Sequence, residues 1–156
     1  MKGIILAGGH GSRLYPSTSV LSKQLLPVYD KPMIYYPLSV LMLSKIKEIL
    51  IISSGEHISL YEKLLGDGSS IGIEISYKIQ KSPRGLADAF IVGEKFIKND
   101  QVCLILGDNL IYGDGLSGAI IDGINSTINE DIANIFSFKV KNPENYGIIE
   151  YDNNGH

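Results

Sequence analysis

The first residues of the chain, Lys2-Gly3-Ile4-Ile5-Leu6, make a short and nearly unbroken apolar run that Ala7-Gly8-Gly9 closes. Continuous apolarity over so few residues predicts a strand covered on both faces, because a half-exposed strand would alternate. The same signature returns at Glu48 to Ser53, around Ile49-Leu50-Ile51-Ile52, and at Val102 to Leu106. Between these runs the spacing changes to that of helices. Pro32 opens a segment in which Ile34, Leu38, Leu41 and Met42 recur on one face to about Lys45, with Pro37 tolerated near the first turn. Ile58, Tyr61, Leu64 and Leu65 mark a second helix that Gly66-Asp67-Gly68 ends. Residues 73–80 alternate as a strand, and Ser82-Pro83 supply a cap and a first-turn proline for a helix with Leu86, Ala89, Phe90, Gly93, Phe96 and Ile97 on one face. Leu116 to Ile128 reads as a helix weakened by Gly123. Residues 132–140 and 147–151 read as strands separated by a turn at Pro143, and a hairpin turn is expected at 152–155.

Alternation of buried strands with helices predicts an α/β protein: a Rossmann-like three-layer α/β/α arrangement around a mostly parallel, mixed sheet, with ligands bound beyond the carboxyl ends of the strands. At 156 residues, with 44% apolar and 20% charged residues, the chain has the size and make-up of one ordinary globular domain. A single cysteine, Cys103, gives no disulfide framework, and its place in an apolar strand predicts a core residue. No run approaches the roughly 20 apolar residues of a membrane span, and the N-terminus has no signal-peptide pattern, so a cytoplasmic protein is expected. The net charge of −3 lacks the basic footprint of a nucleic-acid polymer binder. Up to Ser44, however, Lys2, Arg13, Lys23 and Lys31 stand against Asp30 alone, a distribution that favours a small polyanion at that end.

The chemistry concentrates in Leu6-Ala7-Gly8-Gly9-His10-Gly11-Ser12-Arg13-Leu14. Glycines directly after a strand let backbone amides approach phosphate oxygens and form an anion-binding nest. The loop is not a P-loop, which ends in Gly-Lys-Ser/Thr, nor a dinucleotide fingerprint, which needs glycine where Leu14 stands. Glycines alone serve a tight turn equally well, and Arg13 and Lys23 read singly as solvated surface groups. Together, in a segment nearly devoid of acids, they favour a phosphate site, Arg13 with forked donors and Lys23 as a point charge. Asp108, at the end of the strand Leu104-Ile105-Leu106, shares the rim with the glycine loop in a parallel sheet. It reads either as a turn former or as a magnesium ligand, since Mg²⁺ commonly takes one or two carboxylates plus substrate phosphates. His10 has no partner acid or nucleophile, and no spacing fits a zinc site.

These motifs in combination resemble the sugar nucleotidyltransferase family. Its opening Gly-Gly-x-Gly-x-Arg-Leu-x-Pro stands here as Gly8 to Pro16. The segment Ser22 to Leu38, Gln80 followed by Gly85-Leu86-Ala87, and Leu106-Gly107-Asp108-Asn109 resemble the branch of that family that joins a thymidine nucleotide to glucose 1-phosphate. The resemblance implies the nucleotide-diphospho-sugar transferase type of fold. It also implies a reaction of dTTP with glucose 1-phosphate to give dTDP-glucose and pyrophosphate, at the head of dTDP-rhamnose and deoxysugar synthesis. By resemblance Leu6, Gly8, Gly9, Gly11, Ser12 and Arg13 line the nucleotide site, Arg13 holds the triphosphate, Lys23 bridges the reacting phosphates, and Asp108 binds Mg²⁺ and nucleotide. Gln80 and Gly85 meet the thymine edge, and Tyr146-Gly147 meet the sugar phosphate together with Lys23.

Family members are longer. They continue with a Glu-Lys-Pro segment at the sugar phosphate, a further metal-binding Asp, and helices that build a tetramer. Residues 1–156 are therefore expected to be the nucleotide-binding part of a single domain shortened at its C-terminus, with full activity absent from this stretch alone. A relative using UTP or another sugar phosphate, and a non-catalytic nucleotide-binding module, are the alternatives, separable by a panel of nucleotides.

Overall fold

Lys2–Leu6 forms β1, an interior strand of a four-stranded sheet whose order is β5-β4-β1-β6, with β4 at Glu48–Ser53, β5 at Glu74–Ile79 and β6 at Val102–Leu106. The computed structural model describes residues 1–9, 11–82, 84–130 and 132–151. The expectations for His10, for Pro83 as a first-turn residue and for the turn at 152–155 lie outside the described residues. Every pairing in this sheet is parallel: Ile4 lies opposite Leu50 and Leu104, and Leu50 opposite Ser76. The mostly parallel sheet expected is present, and no antiparallel strand joins it among the described residues. A separate two-residue hairpin pairs β2, Pro27–Val28, with β3, Lys31–Pro32.

The continuous apolar runs have the predicted cause. Odd positions, Ile5, Ile49, Ile51, Ile75 and Ile105, pack with α1 (Tyr35–Leu43), α2 (Ile58–Leu65) and Ile120 of α4 (Leu116–Glu130). Even positions, Ile4, Leu50 and Ile52, pack on the other face under Ala89, Val92 and Phe96 of α3 (Asp88–Ile97). The result is three layers. Gly93 lets α3 lie close, since a Cβ there would come within 3.1 Å of Ile4 Cδ1. Pro37 falls in the first turn of α1, where its missing N–H has no helical partner to lose.

Two expectations need correction. The helix placed after Ser82-Pro83 starts only at Asp88: Gly85, at φ +90, holds the chain out of helical conformation, and Leu86 and Phe90 are exposed. The strands expected at 132–140 and 147–151 do not form. Residues 132–151 contain only a 3-10 turn at Pro143–Asn145 and expose Ile135, Phe136, Phe138 and Ile148. An isolated strand cannot satisfy its own backbone, and no strand pairs with these segments among the described residues; they are tied down by side chains instead, Asn134 Nδ2 donating to Gly123 O of α4 at 3.0 Å and Ser137 Oγ bonding the Tyr151 hydroxyl at 2.9 Å.

The basic N-terminal stretch also divides. Lys2 sits at the amino end of β1, where its Nζ donates to Phe96 O at 2.7 Å and pairs with Asp100 at 2.8 Å. That hydrogen bond to Asp100 raises the lysine's pKa and lowers that of the acid. Lys31 pairs with its neighbour Asp30. Lys2 is thus at the end of the sheet away from the glycine loop, which leaves Arg13 and Lys23 as the cations of this stretch beside it.

Candidate functional site

Parallel strands put their carboxyl ends on one rim, and here that rim gathers the glycine loop after β1, Ser53 at the end of β4, Gln80 after β5 and Asp108 after β6. The backbone ladders run one residue past the strands: Ala7 N–H donates to Ile52 O at 2.7 Å and Gly107 N–H to Leu6 O at 2.9 Å. The chain leaves β1 toward β4 and β5 on one side and later returns to β6 on the other. The gap between β1 and β6 is therefore the switch point of the sheet, the place where such folds bind ligands.

A cleft of about 190 Å³ opens there, lined by Gly8, Gly9, Gly11, Ser12, Arg13, Leu14, Lys23, Gln24 and Asp108. Gly9 and Gly11 hold φ of +102 and +58, which strain other residues, and a Cβ on Gly11 would come within 2.8 Å of Thr18. Thr18 Oγ1 and the Leu14 N–H both donate to Gly11 O at 2.8 Å, turning the chain so that Ser12–Leu14 forms a 3-10 turn with Arg13 on its exposed side. On the opposite wall Lys23 Nζ donates to Asp108 Oδ2 at 2.9 Å, with both side chains about one-third exposed. The pair is pre-formed but wet, so its contribution to stability is small and its groups remain open to a ligand.

What holds Lys23 in place is a buried polar network that the sequence reading did not single out. Gln24 is 2% exposed. Its Nε2 donates to Gly8 O at 3.1 Å, and its Oε1 accepts from Ser22 Oγ at 2.6 Å. The Tyr61 hydroxyl donates to Ser22 Oγ at 2.8 Å, and Ser53 Oγ donates to Ala7 O at 2.8 Å. Burial pushes the Tyr61 phenol above its ordinary pKa, which keeps it a donor. At the backbone, Ile34 N–H donates to Gln24 O at 2.8 Å and ties the turn to the start of α1. Gln24 also touches the other side of the cleft: a Cβ on Gly107 would lie 2.9 Å from its Cγ. The signal in the sequence was a polar residue between Lys23 and the apolar run Leu25-Leu26-Pro27. Only the fold shows that it faces inward.

The structure brings together Gly8, Gly9, Gly11, Ser12, Arg13, Lys23 and Asp108. Leu6 ends β1 beneath the loop and is partly buried against α3. Gln80 is buried beside Gly8. Gly85 is exposed and lies outside the cleft lining, as do Tyr146 and Gly147 in the irregular 132–151 stretch. Those three are not brought to the cleft. Among the described residues no group of three or more His, Cys, Asp or Glu side chains is placed to hold a metal ion. Asp108 remains the carboxylate on the cleft wall, a donor set that fits an ion whose remaining ligands are phosphate oxygens and water.

Comparison with known proteins agrees with this geometry. The nucleotidyl transferase family profile matches residues 2–156. A glucose-1-phosphate thymidylyltransferase of Neisseria meningitidis is 57% identical over 154 residues, covering 99% of this chain and 52% of that protein. A solved structure from Bacillus anthracis, provisionally named a glucose-1-phosphate thymidylyltransferase and complexed with a sucrose, superposes with a TM-score of 0.75 at 42% identity, over 81% of this chain and 51% of that one. A UDP-glucose pyrophosphorylase complexed with UDP-glucose gives 0.68 at 28% identity, over 83% and 54%. The chain spans about half the length of the curated relatives it matches.

Proposed function

The chain belongs to the nucleotidyl transferase family, and from that premise we propose that residues 1–156 are the nucleotide-binding part of a glucose-1-phosphate thymidylyltransferase. The whole protein would join dTTP and glucose 1-phosphate into dTDP-glucose and pyrophosphate, as a cytoplasmic homo-oligomer at the head of dTDP-rhamnose and deoxysugar synthesis. The observation that carries the reading is the convergence of a glycine nest, Arg13 and the Lys23–Asp108 pair on one cleft at the switch point of the sheet.

Chemically the reaction is an in-line substitution: a phosphate oxygen of the sugar phosphate bonds to the α-phosphorus of dTTP as the bond to pyrophosphate breaks. Catalysis of such a step consists mainly of alignment and charge stabilisation. Backbone amides of the loop around Gly8 to Arg13 hold the phosphates, and the Arg13 guanidinium meets the charge that grows on the leaving pyrophosphate. Lys23, on a turn anchored by Gln24, stands where the two reacting phosphates meet and offsets their mutual repulsion. Asp108 would hold Mg²⁺, which when bound supplies Lewis-acid charge stabilisation at the phosphates. Base contacts fall to Gln80 and Gly85, and sugar-phosphate contacts to Tyr146 and Gly147. Gly85, Tyr146 and Gly147 require movement toward the cleft.

Calorimetric titration of the 156-residue chain with dTTP and Mg²⁺ tests the reading. Saturable binding that Arg13→Ala weakens supports it, and absence of binding by any nucleoside triphosphate overturns it. The likeness to a UDP-glucose pyrophosphorylase keeps a UTP-using relative as the second reading. It predicts that UTP binds at least as tightly as dTTP in the same titration.

A further inference from the structure

Directly after β5, Gln80 joins the sheet ladder through its N–H, which donates to Ser53 O at 2.8 Å, and it is only 7% exposed. Its side chain bridges the glycine loop and α3. On the helix side Nε2 donates to Asp88 Oδ2 at 2.7 Å. On the loop side Oε1 lies 3.3 Å from where a Cβ would stand on Gly8. Asp88, in the first turn of α3, is 4% exposed, and its Oδ1 accepts from an Arg84 guanidinium nitrogen at 2.7 Å.

This arrangement fixes which way the amide points. A carboxylate only accepts hydrogen bonds, so the end of Gln80 that faces Asp88 has to be its NH₂ group. The carbonyl is thereby committed to the side of the nucleotide cleft. The exposed Arg84 guanidinium takes the second carboxylate oxygen, and the burial of Asp88 itself limits its freedom to turn. Among the described residues no hydrogen bond reaches Gln80 Oε1, and no buried side-chain oxygen is left without a partner. Among these residues nothing spends the accepting capacity of the carbonyl.

We infer that Asp88 is a positioning residue for base specificity: by holding the Gln80 amide with its carbonyl toward the cleft, it selects nucleotides whose base presents a ring N–H there and disfavours those that present a bare ring nitrogen. The inference rests on the nucleotide-binding reading above and deepens it. Thymine and uracil carry an N–H at ring position three, which donates to the carbonyl. Cytosine carries an unprotonated nitrogen at the same position, so two acceptors would face each other and one desolvated pair would go unmade. Asp88 itself touches no substrate. Without it the amide is free to turn over, and a flipped Gln80 would present NH₂ to the base and welcome cytosine.

The test compares dissociation constants for dTTP and dCTP, with Mg²⁺, in the 156-residue chain and its Asp88→Ala, Asp88→Asn, Gln80→Ala and doubly substituted Asp88→Ala/Gln80→Ala forms. The unsubstituted chain should prefer dTTP, and Asp88→Ala should cut that preference by roughly tenfold. Asp88→Asn keeps the size of the side chain and can offer either an acceptor or a donor to Gln80, so it should give an intermediate preference in a fully folded protein. In the Gln80→Ala background, removing Asp88 should leave the ratio unchanged. A purely structural Asp88 would weaken both nucleotides alike and spare the ratio in every variant, which overturns the inference while dTTP binding by the unsubstituted chain preserves the proposed function. If the unsubstituted chain bound neither nucleotide, both would fall.

Discussion

Residues 102–106 and 132–140 carry similar strand-like apolar patterns and meet opposite fates. The first becomes β6, paired with β1 along five residues. The second forms no strand, and Phe138 is 76% exposed. Intermediate cases make the trend a graded one. β4, flanked by β1 and β5, buries Ile49 to Ser53 almost completely, whereas β6, paired on one side among the described residues, leaves Val102, Cys103 and Leu104 only partly buried. Cys103, read from the sequence as a core residue, packs against the main core with only part of its surface accessible, and burial pushes its thiol pKa up. Apolar patterning states that a segment can be a strand; the number of neighbours decides how far it is buried.

The sharpest way to break this comparison is to remove one side chain from each region. Ile51→Ala, at a position with no exposure at the centre of the sheet, should cost about 2–5 kcal/mol. Phe138→Ala removes a larger side chain from an exposed position and should change stability by less than about 0.5 kcal/mol. Urea unfolding of both variants measures the difference. Comparable losses would mean that residues 132–140 are packed in solution.

The cleft belongs to the well-packed region, and substitution there should act on ligand binding rather than on folding. Arg13→Ala and Lys23→Ala each remove a charged donor worth roughly 1.5–3 kcal/mol in a phosphate complex. Each should weaken dTTP by roughly ten- to a hundred-fold in calorimetric titration, while unfolding midpoints stay close to that of the parent chain. Phe136→Ala, in the irregular stretch, should leave dTTP affinity unchanged. An equal loss there would place the stretch against the cleft.

Much of this was legible along the chain, for identifiable reasons. Strands with neighbours on both sides announce themselves by unbroken apolar runs, so β1 and β4 fall at the expected residues; β6, paired only with β1 among the described residues, carries the same kind of run and does too. Parallel pairing then puts Asp108 on the rim of the glycine loop without further information. What sequence could not give was inwardness of polar residues. Gln24 and Asp88 have side chains that solvate as readily as they bury, and Tyr61, although placed on an apolar helix face, does not announce what its hydroxyl bonds. Only the closing of β1, α2 and α3 around them turns their hydrogen bonds inward. The late start of α3 escaped for a similar reason: Ser82-Pro83 is a valid start signal, overridden by the positive φ at Gly85.

Glycine substitution sharpens the same contrast with smaller effects. A Cβ on Gly107 would stand 2.9 Å from Gln24 Cγ and 3.1 Å from both Ala7 Cα and Ala7 Cβ, whereas a Cβ on Gly147 would meet nothing within 4 Å. Gly107→Ala should destabilise by about 1–3 kcal/mol through overpacking, and by pressing on Gln24 it should also weaken dTTP. Gly147→Ala should do neither. Thermal denaturation with and without dTTP distinguishes the two outcomes.

The smallest expected effect concerns the other edge of the sheet and depends on pH. Tyr77, on edge strand β5, donates its hydroxyl to Gly66 O at 2.5 Å, and desolvation, reinforced by the nearby Glu62 and Asp67 charges, pushes its pKa from 10.0 up to about 12. The folded value lies above the unfolded one, so the native state holds this proton more tightly. The contribution is complete below pH 10.0, and it is lost as pH rises from there to about 12. Tyr77 is partly exposed, so screening limits the contribution to less than about 1 kcal/mol. Tyr77→Phe should therefore lower Tm slightly at pH 8 and flatten its decline between pH 10 and 12, because no phenol remains to ionise. An unchanged slope would show that the hydroxyl is solvated in the folded protein and that β5 is a looser edge than its pairing with β4 implies.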